Sequence, residues 1–484
     1  MFEHKRRVLV IGLDGMRPDL FDPEIMPNLA GLVGCGTRMP DHHAVFPTHT
    51  RVNVSTLATG AYPGHHGVVA NVFQLNGDTP DGTLIVDTSN DQHLRDLDAA
   101  SYGPAILRPA LGDILDRHDK RVAVAATSSA GAGILWTRNQ PYRVVNPNSH
   151  YNRADLLSLR EKLGPIPPAG PDYKRERQMY AGRAVTEIFL HDEDLPVIVL
   201  WLNEPDSSLH GNGLGAPEVR SALEICDEVI GYVLDTMERR GDRDQFDVIV
   251  LSDHGHSTVK HHRSLGEYLD RASRELGLPD PLPSTASDFV YFSPETEHAT
   301  VAQLVRWIQD QYWAGAVFAS GEFGSLPGVL RIEDVWGGVT THRSPTLAVS
   351  PAWYDEENEY GVPGTVAALT EHVALRATHG SASPYELHGF LAASGPSFQE
   401  GLTTSLPTGA VDLTPTILQI IGLTSDNGFD GRVLWEALTD TSETPGAHRR
   451  ESVGPATPHP DGFRPEIILE RVGSTTYVDR VLNG

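Results

Sequence analysis

Two short stretches of the chain hold hydroxyl, imidazole and carboxylate groups at close spacing. Residues 47–53 (PTHTRVN) carry two threonines just before a segment with a helical pattern, and residues 251–256 (LSDHGH) end an apolar run with an Asp-His pair. Imidazole and carboxylate ligands together suit Zn²⁺ or a similar first-row metal ion better than Mg²⁺ or Ca²⁺. A threonine hydroxyl is a poor nucleophile at neutral pH, but coordination to such an ion can convert it to an alkoxide. The two stretches therefore predict metal-dependent hydrolysis of phosphate esters.

Three aspartates each lie at the end of, or shortly after, a segment that predicts a buried strand. The segments are residues 7–15, 196–202 and 246–252, and the aspartates are Asp14, Asp206 and Asp253. Continuous apolar runs are typical of parallel strands that are buried on both faces. Because ligand sites in open α/β sheets lie beyond the carboxyl ends of the strands, we expect the three carboxylates to lie near one site.

Three histidines add to these aspartates, and together they give enough candidate ligands for two divalent cations. They are His210, four residues after Asp206, together with His254 and His379. Two cations about 4 Å apart can hold both the attacking and the leaving oxygen of an in-line displacement. For each residue taken alone a simpler interpretation stays open, in which Asp14, Asp206 and His210 cap helices or contact solvent.

Thr50 falls at the expected start of a helix that continues through residues 54–60 (VSTLATG). The backbone N–H groups and the dipole at a helix N-terminus favour an anion, such as an alkoxide or a bound phosphate. A plain N-cap role for this threonine is the alternative. Asn71, in the turn-rich segment that follows, could donate its amide to a phosphoryl oxygen or serve only as a turn residue.

The alternation of predicted strands and helices is typical of the α/β class, with a central, mostly parallel sheet and helices on both faces. The sequence also predicts a strand over residues 37–45, a helix over 105–118, a flexible loop over 444–463 and a final hairpin over 466–482. The alternation loosens between residues 258 and 375 and then resumes. We therefore expect a catalytic core of residues 1–257 plus 376–484 and an inserted cap lobe of residues 258–375.

The charge of the chain limits the classes of partner. Its formal net charge of −26 over 484 residues makes nucleic-acid polymers and anionic membranes poor candidates as main partners. An anionic phosphate then needs local positive charge, which bound cations supply. No apolar run is long enough to span a membrane, and residues 8–13 are too few for a signal-peptide core. We expect a cytoplasmic enzyme with a small-molecule phosphate ester as substrate, and a homo-oligomer is left open.

In their order along the chain, these motifs resemble those of the alkaline phosphatase superfamily and, more closely, the nucleotide pyrophosphatase/phosphodiesterase family. Residues 204–210 (EPDSSLH) nearly match the family's Glu-Pro-Asp-Ser-Ser-Gly-His, and residues 50–53 (TRVN) resemble its Thr-Phe-Pro-Asn nucleophile motif. Asp14-Gly15, residues 60–71, Asp253-His254-Gly255 and Thr378-His379-Gly380 resemble its remaining blocks. The resemblance implies an alkaline-phosphatase-like fold, two zinc ions and a covalent phosphoryl intermediate on Thr50.

The resemblance also implies how the ligands are shared between the two metal ions. One ion would be bound by Asp14, Thr50, Asp253 and His254, and the other by Asp206, His210 and His379, while Asn71 would bind a phosphoryl oxygen. His388 could be an outer-sphere, structural or catalytic residue. His256, His261 and His262 are assigned ordinary structural roles.

Two residues depart from the family pattern. The family's Phe after the nucleophile is Arg51 here, and its Pro is Val52. An arginine within reach of the substrate could pair with an anionic oxygen, or it could be a surface ion-pairing residue. Phosphodiester hydrolysis is therefore our leading hypothesis, and a phosphonoacetate hydrolase or phosphomonoesterase is the alternative. A non-catalytic binding protein on the same fold is disfavoured, because we expect such a protein to have lost several of the ligands that are present here.

Overall fold

The computed structural model describes residues 6–76, 83–99, 103–137, 144–148, 161–370, 372, 374–423, 428–440 and 442–484. Its strands, in chain order, are β1 Arg7–Leu13, β2 Thr37–Arg38, β3 His42–His43, β4 Val72–Asn76, β5 Thr83–Asp87, β6 Val122–Ala126, β7 Val144–Val145, β8 Val197–Leu202, β9 Phe246–Leu251, β10 Ser257–His262, β11 Ser284–Ala286, β12 Phe289–Tyr291, β13 Ala314–Ala319, β14 Leu330–Arg331, β15 Leu347–Pro351, β16 Trp353–Glu357, β17 Pro363–Ala368, β18 Ala377–Thr378, β19 His388–Gly389, β20 Leu391–Ser394, β21 Leu402–Thr403, β22 Thr408–Gly409, β23 His448–Val453, β24 Glu466–Val472 and β25 Thr475–Leu482.

The α-helices surround these strands and vary widely in length. They are α1 Pro27–Gly34, α2 Thr50–Thr59, α3 Pro63–His66, α4 Asp91–Ala99, α5 Leu111–Asp116, α6 Ala130–Thr137, α7 Lys174–Glu187, α8 Asp206–Asn212, α9 Pro217–Arg240, α10 Leu265–Leu276, α11 His298–Gln309, α12 Pro384–Leu387 and α13 Leu413–Ile420. Within the described ranges, no helix is both long and apolar enough to cross a membrane.

The central sheet has eight strands in the order β21-β2-β20-β9-β1-β8-β6-β7. Strand β1 pairs in parallel with β8 and with β9, and β6 pairs in parallel with β8 and with β7. Strand β20 runs antiparallel to both of its neighbours. The predicted central and mostly parallel sheet is therefore confirmed.

Both faces of this sheet are covered by helices. Along β1, Val8 and Val10 point into one hydrophobic cluster, which includes residues of α2, α5, α6 and α13. Leu9 and Ile11 point into a second cluster, which includes residues of α1, α7 and α9. Successive side chains of a strand alternate between faces, so a strand that is apolar at every position needs a hydrophobic layer on each side.

The segment that was predicted to form a lobe contains a separate five-stranded sheet, in the order β11-β12-β15-β13-β14. Its Phe289, Phe318 and Trp336 belong to the same hydrophobic cluster as Val8 and Val10 of the central sheet. Strand β10 pairs with β17 and with β18, so a further sheet joins residues from both sides of the predicted boundaries. The domain boundaries themselves stay a prediction.

Three local predictions were wrong. Residues 37–45 form the two short strands β2 and β3 in different sheets, because Pro40 lies between them and cannot donate to a ladder. Only α5 forms within residues 105–118, because Pro109 disfavours helical backbone before it. The predicted loop over residues 444–463 contains β23, a polar strand that pairs along its length with β24. The predicted hairpin is present as β24 and β25.

Candidate active site

The candidate ligands lie at the carboxyl end of the central sheet. Asp14 follows β1 directly, Asp253 comes two residues after β9, and Asp206 is the first residue of α8, four residues after β8. The backbone N–H of Asp206 donates to the carbonyl oxygen of Asp14 at 3.0 Å, so the loops that follow these two central strands are joined. His379 does not follow a strand of the central sheet; it lies one residue after β18, which belongs to another sheet.

The first group of ligand atoms comes from Asp14, Asp253 and His254, and these atoms lie within 4.8 Å of one another. His254 Nε2 is 3.3 Å from Asp253 Oδ2 and 3.6 Å from Asp14 Oδ1. The other carboxylate oxygens are held by the protein, since Trp201 Nε1 donates to Asp14 Oδ2 and the Gly15 N–H donates to Asp253 Oδ1. Each carboxylate is thereby oriented with one oxygen towards the group.

The second group contains Asp206, His254, His256 and His379, whose ligand atoms also lie within 4.8 Å of one another. Asp206 Oδ1 is 2.9 Å from His256 Nε2 and 3.6 Å from His379 Nε2. His210 Nε2 is close as well, at 3.3 Å from the same oxygen. The structure thus brings all the sequence-predicted ligands to one place and adds His256, which we had assigned an ordinary structural role.

Three of the imidazoles have one nitrogen bonded to a backbone carbonyl. The Nδ1 of His210 lies 2.8 Å from the Ala377 oxygen, that of His379 lies 2.7 Å from the Thr48 oxygen, and that of His254 lies 2.9 Å from the Gly255 oxygen. Because a carbonyl only accepts, each Nδ1 donates, and the neutral form of each ring therefore has its lone pair on Nε2. This is the arrangement in which a histidine binds a metal ion.

The charges of the site are arranged for a cation. Burial, together with the charges of Asp253 and Asp206, raises the pKa of Asp14 well above its usual value, and burial also raises the pKa of Asp253. Burial lowers the pKa of His379 and of His254 and lowers that of His256 to about 4, so these imidazoles are neutral at neutral pH. A divalent cation would offset the repulsion between the carboxylates and bind the lone pairs of the neutral imidazoles.

The hydrogen bonding of two buried carboxylate oxygens shows whether these residues fit a metal ion. Asp14 Oδ1 and Asp253 Oδ2 have no hydrogen-bond partner among the described residues, although both carboxylates are almost completely buried. Buried polar atoms without partners are rare, because desolvation makes them costly. A cation between them would supply the missing interaction, so the donor set fits.

Thr50 and Thr48 differ sharply in their surroundings. Thr50 is the first residue of α2, and its Oγ1 lies 3.1 Å from His254 Nε2. The Thr48 hydroxyl faces other groups: its Oγ1 donates towards Ser381 O and Glu386 Oε2, both at 3.0 Å, and accepts from the Gly380 N–H. Of the two hydroxyls, only that of Thr50 contacts a candidate ligand.

Asn71 and Arg51 lie beside the start of α2. Asn71 Oδ1 accepts from the backbone N–H of Arg51 at 3.2 Å, which leaves its amide nitrogen as the end that can donate to a substrate. Burial lowers the pKa of the Arg51 guanidinium, and the negative charges of Asp14, Asp206 and Asp253 oppose this lowering. Its Nε is buried without a hydrogen-bond partner among the described residues, so it is not an ordinary surface arginine.

A cavity of about 430 Å³ opens beside Asn71 and two of the candidate ligands. His210 and His379 line it together with Asn71, His49 and Asp288. Asp288 belongs to the predicted lobe, and burial raises its pKa to about 7. The volume is within the range of small-molecule sites.

The model of the family described as type I phosphodiesterase/nucleotide pyrophosphatase matches residues 8–319, more than half of the chain. The chain belongs to this family. The matched segment contains the candidate ligands up to His254, whereas His379 lies outside it.

Several family members are similar to this chain over part of their length. Venom phosphodiesterase 2 of Crotalus adamanteus is 23% identical over 263 residues, which cover 51% of this chain and 26% of that protein. Human ectonucleotide pyrophosphatase/phosphodiesterase family member 7 is 25% identical over 255 residues, covering 53% of this chain and 49% of that protein. The chain thus matches between a quarter and a half of the length of these two relatives.

Solved structures share the fold. Human ectonucleotide pyrophosphatase/phosphodiesterase 5 aligns with a TM-score of 0.62 at 16% identity, over 90% of this chain and all of that one. An inactive variant of the murine protein, in complex with AMP, aligns with a TM-score of 0.59 at 18% identity, over 87% of this chain and 96% of that one. The predicted alkaline-phosphatase-like α/β fold is confirmed.

Two residues of the site, His256 and Asp288, were not predicted from the sequence. His256 stands two positions after His254, and alternate residues of extended chain share a side, so the Asp-His-Gly-His spacing carried a usable signal. At Gly15, which has φ of +72°, an added Cβ would lie 2.8 Å from the His256 ring, so the turn after β1 makes room for it. Asp288 lies in the predicted lobe, more than 200 residues after Asn71, and no local pattern places it in the cavity.

Proposed function

We propose that this protein is a metal-dependent phosphodiesterase/nucleotide pyrophosphatase in which Thr50 is the nucleophile and forms a covalent phosphoryl intermediate. The observation that carries the proposal is the position of the Thr50 hydroxyl. It stands at the first turn of α2, 3.1 Å from His254 Nε2 and beside two carboxylates whose inward oxygens have no hydrogen-bond partner in the described part of the chain. Family membership supports the same class of reaction.

Two divalent cations, most simply Zn²⁺, complete the proposed site. Asp14, Thr50, Asp253 and His254 would hold one ion, and Asp206, His210 and His379 the other, with His256 as a further contact to Asp206. When bound, such ions withdraw charge from the phosphoryl oxygens and favour the deprotonated form of a coordinated hydroxyl. The mixed donor set of histidine and aspartate favours zinc over magnesium or calcium.

The residues around Thr50 have separate tasks in the proposed reaction. The first-turn N–H groups of α2 favour the negative charge of the Thr50 oxygen and of the phosphoryl group. The amide nitrogen of Asn71 donates to a phosphoryl oxygen, since its carbonyl end is already held by the Arg51 N–H. The buried loops around Asp14 and Asp253 exclude bulk water, which strengthens these interactions.

The substrate is a small phosphate ester in the 430 Å³ cavity. A murine relative of the same fold was solved with AMP, which makes a nucleotide one candidate. Arg51 supports the second candidate, a phosphonoacetate hydrolase or phosphomonoesterase, because its guanidinium lies close enough to the candidate ligands to interact with their charges and would pair with a further anionic group there. The cytoplasmic location and a homo-oligomeric state stay predictions.

A metal-depletion assay with a substrate panel tests the proposal. Chelation should abolish hydrolysis, Zn²⁺ should restore it, and bis-p-nitrophenyl phosphate or p-nitrophenyl-TMP should be cleaved faster than p-nitrophenyl phosphate or phosphonoacetate. Full activity of the metal-free protein would overturn the metal-dependent account. A preference for phosphonoacetate or for the monoester would replace the leading function with the second one.

A further inference from the structure

A second cluster of histidines and carboxylates shares no residue with the candidate active site. It consists of Asp41, His43, His388 and Asp479, and one ligand atom from each lies within 4.8 Å of all the others. His43 is 1% exposed, and the side chain of Asp479 is 6% exposed. The cluster is therefore mostly buried.

The cluster joins segments that are distant in sequence. His43 and His388 lie directly opposite each other where β3 and β19 pair, which brings their rings to a centroid distance of 4.7 Å. Asp41 immediately precedes β3, and Asp479 comes from β25 in the C-terminal hairpin. A ligand held here would fasten that hairpin to the strands that lead into the candidate active site.

The surroundings of the His43 imidazole indicate that the cluster can bind a cation. Its Nδ1 lies 2.9 Å from the Thr408 carbonyl oxygen and so donates to it, which leaves the lone pair on Nε2. This Nε2 is buried, has no hydrogen-bond partner among the described residues, and faces Asp41 Oδ1 at 3.4 Å and Asp479 Oδ1 at 3.9 Å. Although burial opposes a charged ring, the two carboxylates raise the pKa of His43, so they favour a positive charge at this nitrogen, which a bound cation would supply in place of the proton.

The carboxylate of Asp479 is oriented in a matching way. Its Oδ2 accepts from Arg450 at 3.0 Å and from Arg480 at 2.7 Å. Its Oδ1 turns to the cluster, where it accepts from His388 Nε2 at 3.0 Å, and a cation bound by both atoms would replace that proton. Outer contacts that hold one oxygen and leave the other facing the cluster are typical of carboxylates that bind metal ions.

We propose that Asp41, His43, His388 and Asp479 bind a structural divalent cation of the zinc type. Two imidazoles and two carboxylates make a complete four-ligand set, and structural zinc sites are closed in this way. The ion would hold the C-terminal hairpin against β3 and β19. It would not contact the substrate, so its loss should lower stability more than it lowers turnover.

Zinc stoichiometry tests this proposal independently of the proposed function. The full-length protein and the double variant Asp41→Asn/His388→Gln are stripped with a chelator, dialysed against Zn²⁺ and analysed for metal content, with circular dichroism as the test of folding. Asp41 and His388 suit this test because their side chains are 34% and 25% exposed, so the change should be tolerated. The variant should hold one zinc ion fewer per chain, whatever the occupancy of the candidate active site.

Affinity and thermal stability add a second readout. Zn²⁺ should raise the Tm of the stripped wild-type protein by more than that of the double variant, and the cluster's zinc affinity should fall at least about 100-fold, because even outer-sphere partners contribute 10–100-fold. Glu470→Gln is the matched control, since Glu470 pairs with His448 and Arg450 on the same hairpin but is not a proposed ligand. Equal zinc content in the folded double variant and the wild type would overturn the proposal and leave the cluster as ion pairs only.

Discussion

Thr48 and Thr50 lie two residues apart, yet their hydroxyl groups contact different parts of the protein. The Thr48 hydroxyl is taken up by contacts with Ser381, Glu386 and the Gly380 N–H. The Thr50 hydroxyl faces His254 at the start of α2. This difference makes the choice of nucleophile testable with a pair of matched variants.

Thr50→Ala should lower kcat by at least about 10³-fold while leaving the fold and most of the bound metal in place, because it removes only the attacking oxygen. Thr50→Ser should retain measurable turnover, since it keeps a hydroxyl. Steady-state kinetics together with metal analysis would check both variants. Thr48→Val is the control, and it should keep most turnover but lose about 1–3 kcal/mol of unfolding free energy, because it leaves buried polar groups without partners. An inactive Thr48→Val beside an active Thr50→Ala would contradict the assignment.

Arg51 should discriminate between substrates by charge. In the proposed site, metal ions and the helix N-terminus would interact with the transferred phosphoryl group, which would leave the guanidinium for a second anionic group. Arg51→Ala should lower kcat/KM at least about tenfold, or ~1.4 kcal/mol, for the best doubly anionic substrate, and much less for a diester with a neutral arm. Equal losses on both substrates would mean that Arg51 acts on the phosphoryl group itself. No loss on either substrate would show that Arg51 does not act on the substrate.

At the scale of elements, the site is made by the ends of neighbouring strands. Parallel pairing of β1 with β8 and β9 brings Asp14, Asp206 and Asp253 together, although they are separated by up to 239 positions in sequence. The sequence predicts this part well, because an apolar run that ends in a carboxylate marks both the strand and its functional end. The start of α2 at Thr50 was also predictable, because Thr50 comes just before a segment with a helical pattern.

Other parts of the site depend on packing that a local pattern encodes weakly or not at all. His256 and His261 stand in similar polar surroundings in the sequence, yet the first is buried against Asp206 and the second is exposed. Strand β23 is polar and forms because β24 offers it a ladder of backbone hydrogen bonds. Asp288 reaches the cavity only because the sheet of the predicted lobe packs on the central core.

The loop after β9 provides an element-scale prediction. His256→Met should weaken binding of the ion at Asp206 by about 10–100-fold, since it removes a contact that positions this carboxylate. Competition with a chromophoric chelator would measure the change. His261→Ala is the control on the same segment and should leave zinc affinity unchanged. Unchanged affinity in His256→Met would return His256 to a purely structural role.

At the scale of the whole molecule, the predicted lobe and the core share one hydrophobic cluster and buried polar links. The guanidinium of Arg343 is fully buried and donates to the carbonyl oxygens of Gly67, Ala105 and Pro104. The indole of Trp336 donates to the carbonyl oxygen of Phe46 at 2.9 Å, close in sequence to the proposed nucleophile. These links argue that the two parts unfold together.

Calorimetry of the metal-loaded protein should therefore show one main unfolding transition. Arg343→Leu should lower the unfolding free energy by at least about 3 kcal/mol, because it leaves three buried carbonyl oxygens without their donor. Arg331→Leu is the control, with an exposed side chain and an ion pair of 3.9 Å, and it should cost about 0–1 kcal/mol. Two separate transitions in the wild-type protein would show that the predicted lobe folds on its own.

The stereochemical course at phosphorus tests the central claim most directly. Attack by Thr50 followed by attack of water comprises two in-line displacements, each of which inverts the phosphorus centre. Hydrolysis of a nucleotide phosphodiester that is chiral at phosphorus, by the zinc-loaded protein in isotopically labelled water, should therefore proceed with net retention of configuration. Net inversion would show that water attacks directly and would contradict the assignment of Thr50 as the nucleophile.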